Sequence, residues 1–186
     1  MPTSTRWPAA MPDERLDGYA EALLAVAAAE GQSTVIEDEL FRVGEALRQN
    51  DELLAALSDS RLPIERRQGV VEDLLGEKAS TVTTALVSMV VGTGHGGHLP
   101  EIVDAMVARG AANRDRVLAK VRSAIELTED QKTRLAQAIK SSTGTDVEIR
   151  VIIDESVLGG LVTEIGDDVI DGSVRHRQSQ LRENFG

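Results

Sequence analysis

The chain has 186 residues, enough for one ordinary domain or two small ones, and its 41% apolar and 27% charged composition belongs to a globular protein. Aromatic residues make up 2%, so the core is built from Leu, Val, Ile and Ala, and an aromatic base-stacking surface is excluded. The net charge of −11 lies mostly in residues 1–112, with 9 basic and 18 acidic side chains against 11 and 13 in the remainder; this argues against nucleic acid and anionic lipid as direct partners.

No cysteine is present, which removes disulfides and thiolate metal sites. The start carries Pro2, Pro8 and Pro12 without an apolar leader core, and no segment reaches the roughly 20 apolar residues of a membrane span, so a soluble chain with a flexible stretch over 1–12 is expected.

Leu16, Tyr19, Ala20, Leu23, Leu24 and Ala27 then recur at helical spacing up to Gly31. Ser33 or Thr34 is placed to cap a second helix, in which Ile36, Leu40, Val43 and Leu47 form one stripe and Asn50 lies near the end. A short segment around Leu53, Leu54 and Leu57 follows, and Pro63 opens a fourth helix carrying Val70, Val71, Leu74 and Leu75. Residues 79–91 fit a helix through Val82, Leu86, Met89 and Val90, although Val87 to Val91 also suits a buried strand. Beyond the glycines of 92–97, Pro100 starts a sixth helix through Ile102, Val103, Met106 and Val107. Six helices joined by short loops predict an antiparallel bundle over 13–112.

The period then changes from 3.6 to 2. Val117, Ala119, Val121, Ser123, Ile125 and Leu127 alternate with Leu118, Lys120, Arg122, Ala124 and Glu126 as a half-buried strand. Thr128 and Gln131 form a capping-box pattern opening a helix with Leu135, Ala138 and Ile139, which runs to about Gly144. Val147, Ile149, Val151 and Ile153 restore strand alternation. Residues 160–165 and 168–170, separated by Gly166 and Asp167, read as a hairpin, and a closing helix places Val174, Leu181 and Phe185 on one side. The boundary is set at 110–116, where Gly110, Asn113, Arg114 and Asp115 interrupt the apolar pattern. The fold class is therefore α+β, a six-helix bundle followed by a small α/β domain over 113–186 with a short mixed sheet.

Several motifs raise the question of chemistry. Gly92-Thr93-Gly94-His95-Gly96-Gly97 is a literal G-x-G-x-x-G, which in a dinucleotide site follows a strand, opens a helix and is joined about 20 residues on by a ribose-binding acid. Here Asp115 precedes the next strand and Glu126 is 29 residues beyond Gly97, so a helix–helix loop is the preferred reading and a nucleotide-binding enzyme the alternative. His95 and His98 lack a third ligand at matching spacing, His176 between Arg175 and Arg177 lacks a Ser or Asp partner, Asp167 and Asp168 suit a turn, and Arg66 and Arg67 read as a solvated helix face. No catalytic residue, cofactor or metal is assigned.

The run Asp154-Glu155-Ser156-Val157-Leu158-Gly159-Gly160-Leu161-Val162-Thr163-Glu164-Ile165-Gly166-Asp167-Asp168-Val169-Ile170-Asp171-Gly172-Ser173-Val174-Arg175 resembles the C-terminal signature of the ATP synthase delta subunit family, whose mitochondrial member is the oligomycin-sensitivity-conferring protein. Tyr19-Ala20-Glu21-Ala22-Leu23 is similar to the family's first helix, while Gln178 and the Asp17-Gly18 pair depart from its usual pattern. Gly159, Gly160, Gly166, Asp167, Asp171, Gly172, Ser173 and Arg175 carry the signature. Gly159 and Gly160 suit a turn or close backbone approach, Gly166 with Asp167 a reversal, and Asp171 or Ser173 a helix cap.

The resemblance implies a non-catalytic stator connector, peripheral to the cytoplasmic face of a bacterial plasma membrane and associated with it only through the complex. It implies that the bundle holds the N-terminal segment of an alpha subunit in a groove between helices one and five, with Tyr19, Ala22, Leu23, Val26, Ala85 and Met89 as the expected surface. It implies that the second domain holds the C-terminus of a b-type stalk subunit, with Val157, Leu158, Val174 and Leu181 as the expected contacts. A generic helical adaptor in another assembly is the remaining alternative.

Overall fold

The computed structural model describes residues 11–157, 160–166 and 168–171. The chain divides into two compact units, Met1–Arg109 and Gly110–Gly186. The architecture is α+β.

The first unit is built from α1 (Asp13–Ala29), α2 (Ser33–Arg48), α3 (Asp51–Ser58), α4 (Ile64–Leu75), α5 (Thr81–Gly92), a single 3-10 turn (Gly96–His98) and most of α6 (Leu99–Asn113), whose residues from Gly110 on belong to the second unit. Most of the apolar stripe positions predicted from spacing are buried or half-buried, the exceptions being Leu74 and Met89, which are exposed. Leu23, Ile36, Leu40, Leu99, Ile102 and Met106 are fully inaccessible, each such burial contributing about 1.5–3 kcal/mol. Residues 81–92 are helical, because Leu86, Val87, Val90 and Val91 turn to one side at helical spacing and are all buried.

Helix ends follow local chemistry, with one departure from expectation. Neither Ser33 nor Thr34 caps α2. Gly31, at φ +67°, ends α1, the Gln32 N–H donates to the Ala27 carbonyl, and the Gln32 carbonyl already accepts from Ile36, so helix begins at Ser33 itself. Asn50 lies just past the end of α2, as expected, and caps α3, accepting from the Leu53 N–H at 3.0 Å. The N-terminus of α5 is capped twice: Ser80 Oγ accepts from the Thr83 N–H, and Glu39 on α2 accepts from the Ser80 N–H, the Ser80 hydroxyl and the Thr83 hydroxyl. Burial raises the pKa of Glu39, but these hydrogen bonds and the nearby Arg42 outweigh it and hold the carboxyl below its ordinary value.

In the second unit β1 (Val117–Ser123) and β2 (Val147–Ile153) pair in parallel, joined by α7 (Glu129–Thr143), and β3 (Val162–Ile165) with β4 (Asp168–Asp171) forms an antiparallel hairpin. The sheet order is β2-β1-β3-β4, with β3 antiparallel to β1. The capping box is complete, the Gln131 N–H donating to Thr128 Oγ1 at 3.3 Å and the Thr128 N–H to Gln131 Oε1 at 2.8 Å, and Gly144 ends α7 in the left-handed region. Ile139 packs with Ala119 and Val147, joined by Leu135 and Ala136. Ala138, expected on that face, is exposed.

Two boundaries move. The first strand stops at Ser123, whose carbonyl accepts from the Asp154 N–H and whose hydroxyl accepts from the Ile125 N–H; the parallel partner ends at Ile153, so Ile125 and Leu127 lie beyond the ladder. Gly110 does not interrupt α6, which continues to Asn113, since one glycine costs a helix only about 1 kcal/mol. The closing helix expected over Val174 to Phe185 lies outside the described residues. Among the described residues no helix is long and apolar enough to cross a membrane.

Candidate functional site: an outward apolar face on α1 and α5

Tyr19, one and a half turns into α1, links that helix to the far end of α5. Its hydroxyl donates to Thr93 Oγ1 at 3.1 Å, Thr93 in turn donating to the Val90 carbonyl at 2.8 Å. Its ring meets the His95 ring edge-on, with centroids 5.2 Å apart. From this junction Ala22 and Val26 continue the Tyr19 stripe along α1 at i+3 and i+7, while Met89 and Ala85 run back from Thr93 along α5 at four-residue steps. Ala22 and Ala85 are exposed, Val26 is 38% exposed and Met89 42%. Leu23 differs: it is 0% exposed and belongs to the bundle core, because a step of one residue from Ala22 turns the side chain about 100° around the helix.

The glycine-rich segment 92–98 is shaped by packing. Gly92 closes a helix rather than following a strand, and Gly94 takes φ +83° to turn the chain. A Cβ on Gly96 would stand 2.5 Å from the Leu57 carbonyl oxygen of α3. That oxygen also accepts from buried Arg67, whose guanidinium reaches the Val91 carbonyl as well. Arg67 is therefore an internal clamp between α3 and α5 and not part of a solvated face; Arg66 is exposed. The segment lacks the strand that a dinucleotide cradle requires, so the nucleotide-binding reading falls.

His95 and His98 lie together, ring centroids 6.3 Å apart. Burial, then Arg15 and His98, hold the His95 pKa below its ordinary value of 6.5. The neutral imidazole is thus the form that suits the fold. As pH falls below about 6.5 the unfolded chain takes up this proton first, so the stabilisation is complete above that value and is lost on acidification through the folded-state pKa. An NMR titration is expected to show His95 titrating below the ordinary imidazole value, and His95→Gln to remove its part of the acid slope in stability. A His95 midpoint at or above the free value would refute this. Among the described residues no group of three His, Asp or Glu could hold a metal ion.

In the second unit Val157 is buried, its N–H donating to the Asp154 carbonyl at 3.1 Å. Gly160 is half-buried, Gly166 makes the β3–β4 reversal at φ +57°, and Asp171 pairs with Val162 at the end of β4. Leu158, Gly159, Asp167, Gly172, Ser173, Val174, Arg175 and Leu181 lie outside the described residues. Sequence reasoning missed Thr93 and His95 as partners of Tyr19, a contact between residues 74 and 76 positions apart that no local pattern signals.

The fold defines a two-unit α+β protein whose first unit presents exposed apolar side chains on α1 and α5. Residues 17–185 match the family model "ATP synthase delta (OSCP) subunit". The chain belongs to that family. It is similar to the ATP synthase subunit delta of Nocardia farcinica (strain IFM 10152), with 43% identity over 168 residues, 89% of this chain and 61% of that protein. It is 37% identical over 165 residues to the ATP synthase subunit delta of Rhodococcus opacus (strain B4), covering 89% and 59%. The ATP synthase subunit b-delta of Mycobacterium sp. (strain KMS) is 36% identical over 156 residues, 84% of this chain and 35% of that protein. The chain thus spans about 60% of the length of the delta relatives. A chain of the cryo-EM structure of the Toxoplasma gondii mitochondrial ATP synthase hexamer aligns with 91% of this chain and 96% of its own length, TM-score 0.52, at 20% identity, a likeness of fold alone.

Proposed function

We propose that the chain is a non-catalytic connector in the stator of a rotary F-type ATP synthase. In this reading the first unit holds the N-terminal segment of an alpha subunit at the catalytic head, and the second holds the C-terminus of a b-type stalk subunit. The connection resists torque, so that rotation of the central shaft drives ATP synthesis rather than turning the head. The observation that carries the reading is the stripe of Tyr19, Ala22 and Val26 on α1 with Ala85 and Met89 on α5. Helix-in-groove recognition takes apolar anchors at such spacings and needs no catalytic side chain.

Family membership supports a place in this complex, and the name b-delta of the Mycobacterium relative couples the two designations that the reading brings together. The acidic first unit suits a protein partner over nucleic acid or anionic lipid. Membrane association is then indirect, at the cytoplasmic face of a bacterial plasma membrane. Val157, Leu158, Val174 and Leu181 are the proposed stalk contacts. Val157 is already buried, so its contribution is to shape the surface beneath.

The test is co-migration of the purified chain with an ATP synthase head on size exclusion, using the head intact and with its alpha N-terminal segments removed. Binding to the intact head alone is expected. Equal binding to both would place the contact elsewhere, and binding to neither would leave an adaptor role outside this complex.

A further inference from the structure

On a different side of the first unit, α2, α3, α4 and α5 enclose a cleft of about 300 Å³. Its lining is dominated by aliphatic side chains, among them Val43, Leu57, Val71, Leu75 and Val87. Leu74, also in the lining, is 37% exposed. Val87 is a buried residue of α5, two positions from the exposed Ala85 and Met89, so the cleft and the outward apolar face lie on different sides of that helix.

The polar groups of the cleft are three. Glu39 is committed to the α5 N-terminus, accepting from Ser80 and Thr83 as described. The other two are cations, Arg42 and Lys78, both exposed; among the described residues neither closes a salt bridge, although Arg42 lies near enough to Glu39 to help hold its carboxyl down. Two cations beside an apolar cleft stand out in a chain of net charge −11, whose residues 1–112 carry twice as many acids as bases. A concave aliphatic site with a few convergent polar groups is the usual form of a small-molecule site, and about 300 Å³ is the small end of that range.

We propose that this cleft binds a medium-chain fatty carboxylate, its alkyl tail among the aliphatic side chains of α2–α5 and its head group at Arg42 and Lys78. The apolar lining selects the tail, the two cations select an anionic head over a neutral or cationic one, and the volume selects a single chain of modest length.

The test uses the full chain, isotopically labelled at methyl groups, titrated with decanoate, decanol and decyltrimethylammonium. Decanoate is expected to shift the methyl resonances of Val43, Leu75 and Val87 in a saturable manner. Decanol should bind roughly fivefold more weakly, the scale of one exposed ion pair, and the cation not at all. The double variant Arg42→Glu/Lys78→Glu, with unchanged circular dichroism, should weaken decanoate roughly fivefold or more and leave decanol unaffected; Lys78→Gln alone should act in the same direction. The proposal is overturned if decanoate leaves these methyls unmoved or shifts Met89 and Ala85 instead. It is equally overturned if decanol binds as tightly as decanoate, if the charge variants bind decanoate normally, or if only an amphipathic peptide perturbs the cleft.

Discussion

Gly96→Ala is expected to destabilise the chain by about 2–3 kcal/mol, the upper part of the range for overpacking a filled interior. The added Cβ meets the Leu57 carbonyl oxygen at 2.5 Å and the Leu57 carbonyl carbon at 3.1 Å. Backbone cannot rotate away as a side-chain tip can. Leu57 is moreover held from its other side, because its carbonyl accepts from the Arg67 guanidinium, which also reaches the Val91 carbonyl. Moving α3 aside therefore weakens the hydrogen bonding of a buried cation whose Nε already has no partner among the described residues. Gly69→Ala is the control. Gly69 lies within α4 with open space where its Cβ would stand, so the same substitution there should stabilise by about 0.5–1 kcal/mol. Urea denaturation reads both as shifts in midpoint at constant slope. Equal effects at the two sites would show that the 92–98 segment is a permissive loop after all.

Leu23→Ala is expected to cost about 3 kcal/mol of stability, through lost burial and the cavity left in the bundle core, since Leu23 is 0% exposed. Met89→Glu should instead leave stability within about 0.5 kcal/mol, because Met89 is 42% exposed. If α1 and α5 hold an alpha-subunit segment, Met89→Glu should weaken co-migration with the head by roughly tenfold or more, the cost of burying an unpaired carboxylate. The pair separates folding from recognition. A Leu23→Ala chain of normal stability would mean that the core has been misassigned; a Met89→Glu chain with normal head binding would remove α5 from the proposed interface.

Most elements are legible in the order of residues. Ile36, Leu40 and Leu47 at helical spacing, Val147, Ile149 and Val151 at strand spacing, and the Thr128–Gln131 capping box each act within one or two turns of chain, so local pattern carries them. Strand ends are less legible. Alternation continues past Ser123 to Leu127, yet β1 stops where its parallel partner does, and register with β2 is a property of two segments rather than one. Helix starts are similar: Ser33 is a good capping residue that caps nothing, because the turn after Gly31 has already set the chain on its helical path.

The candidate site divides in the same way. Sequence by itself determined the two-unit α+β order, the family resemblance carried by the glycine signature, and the spacing of Tyr19, Ala22, Val26, Ala85 and Met89 along their own helices. Tertiary structure alone decided that Leu23 turns inward, that Tyr19 meets Thr93 and His95 at the end of α5, that Arg67 is buried, and that Gly96 makes room for the Leu57 carbonyl. Periodicity assigns a residue to a face of its own helix. Which faces meet depends on contacts between residues far apart in the chain, and those contacts are set by the packing of whole helices, where one residue's volume and one carbonyl's position settle what its neighbours can be.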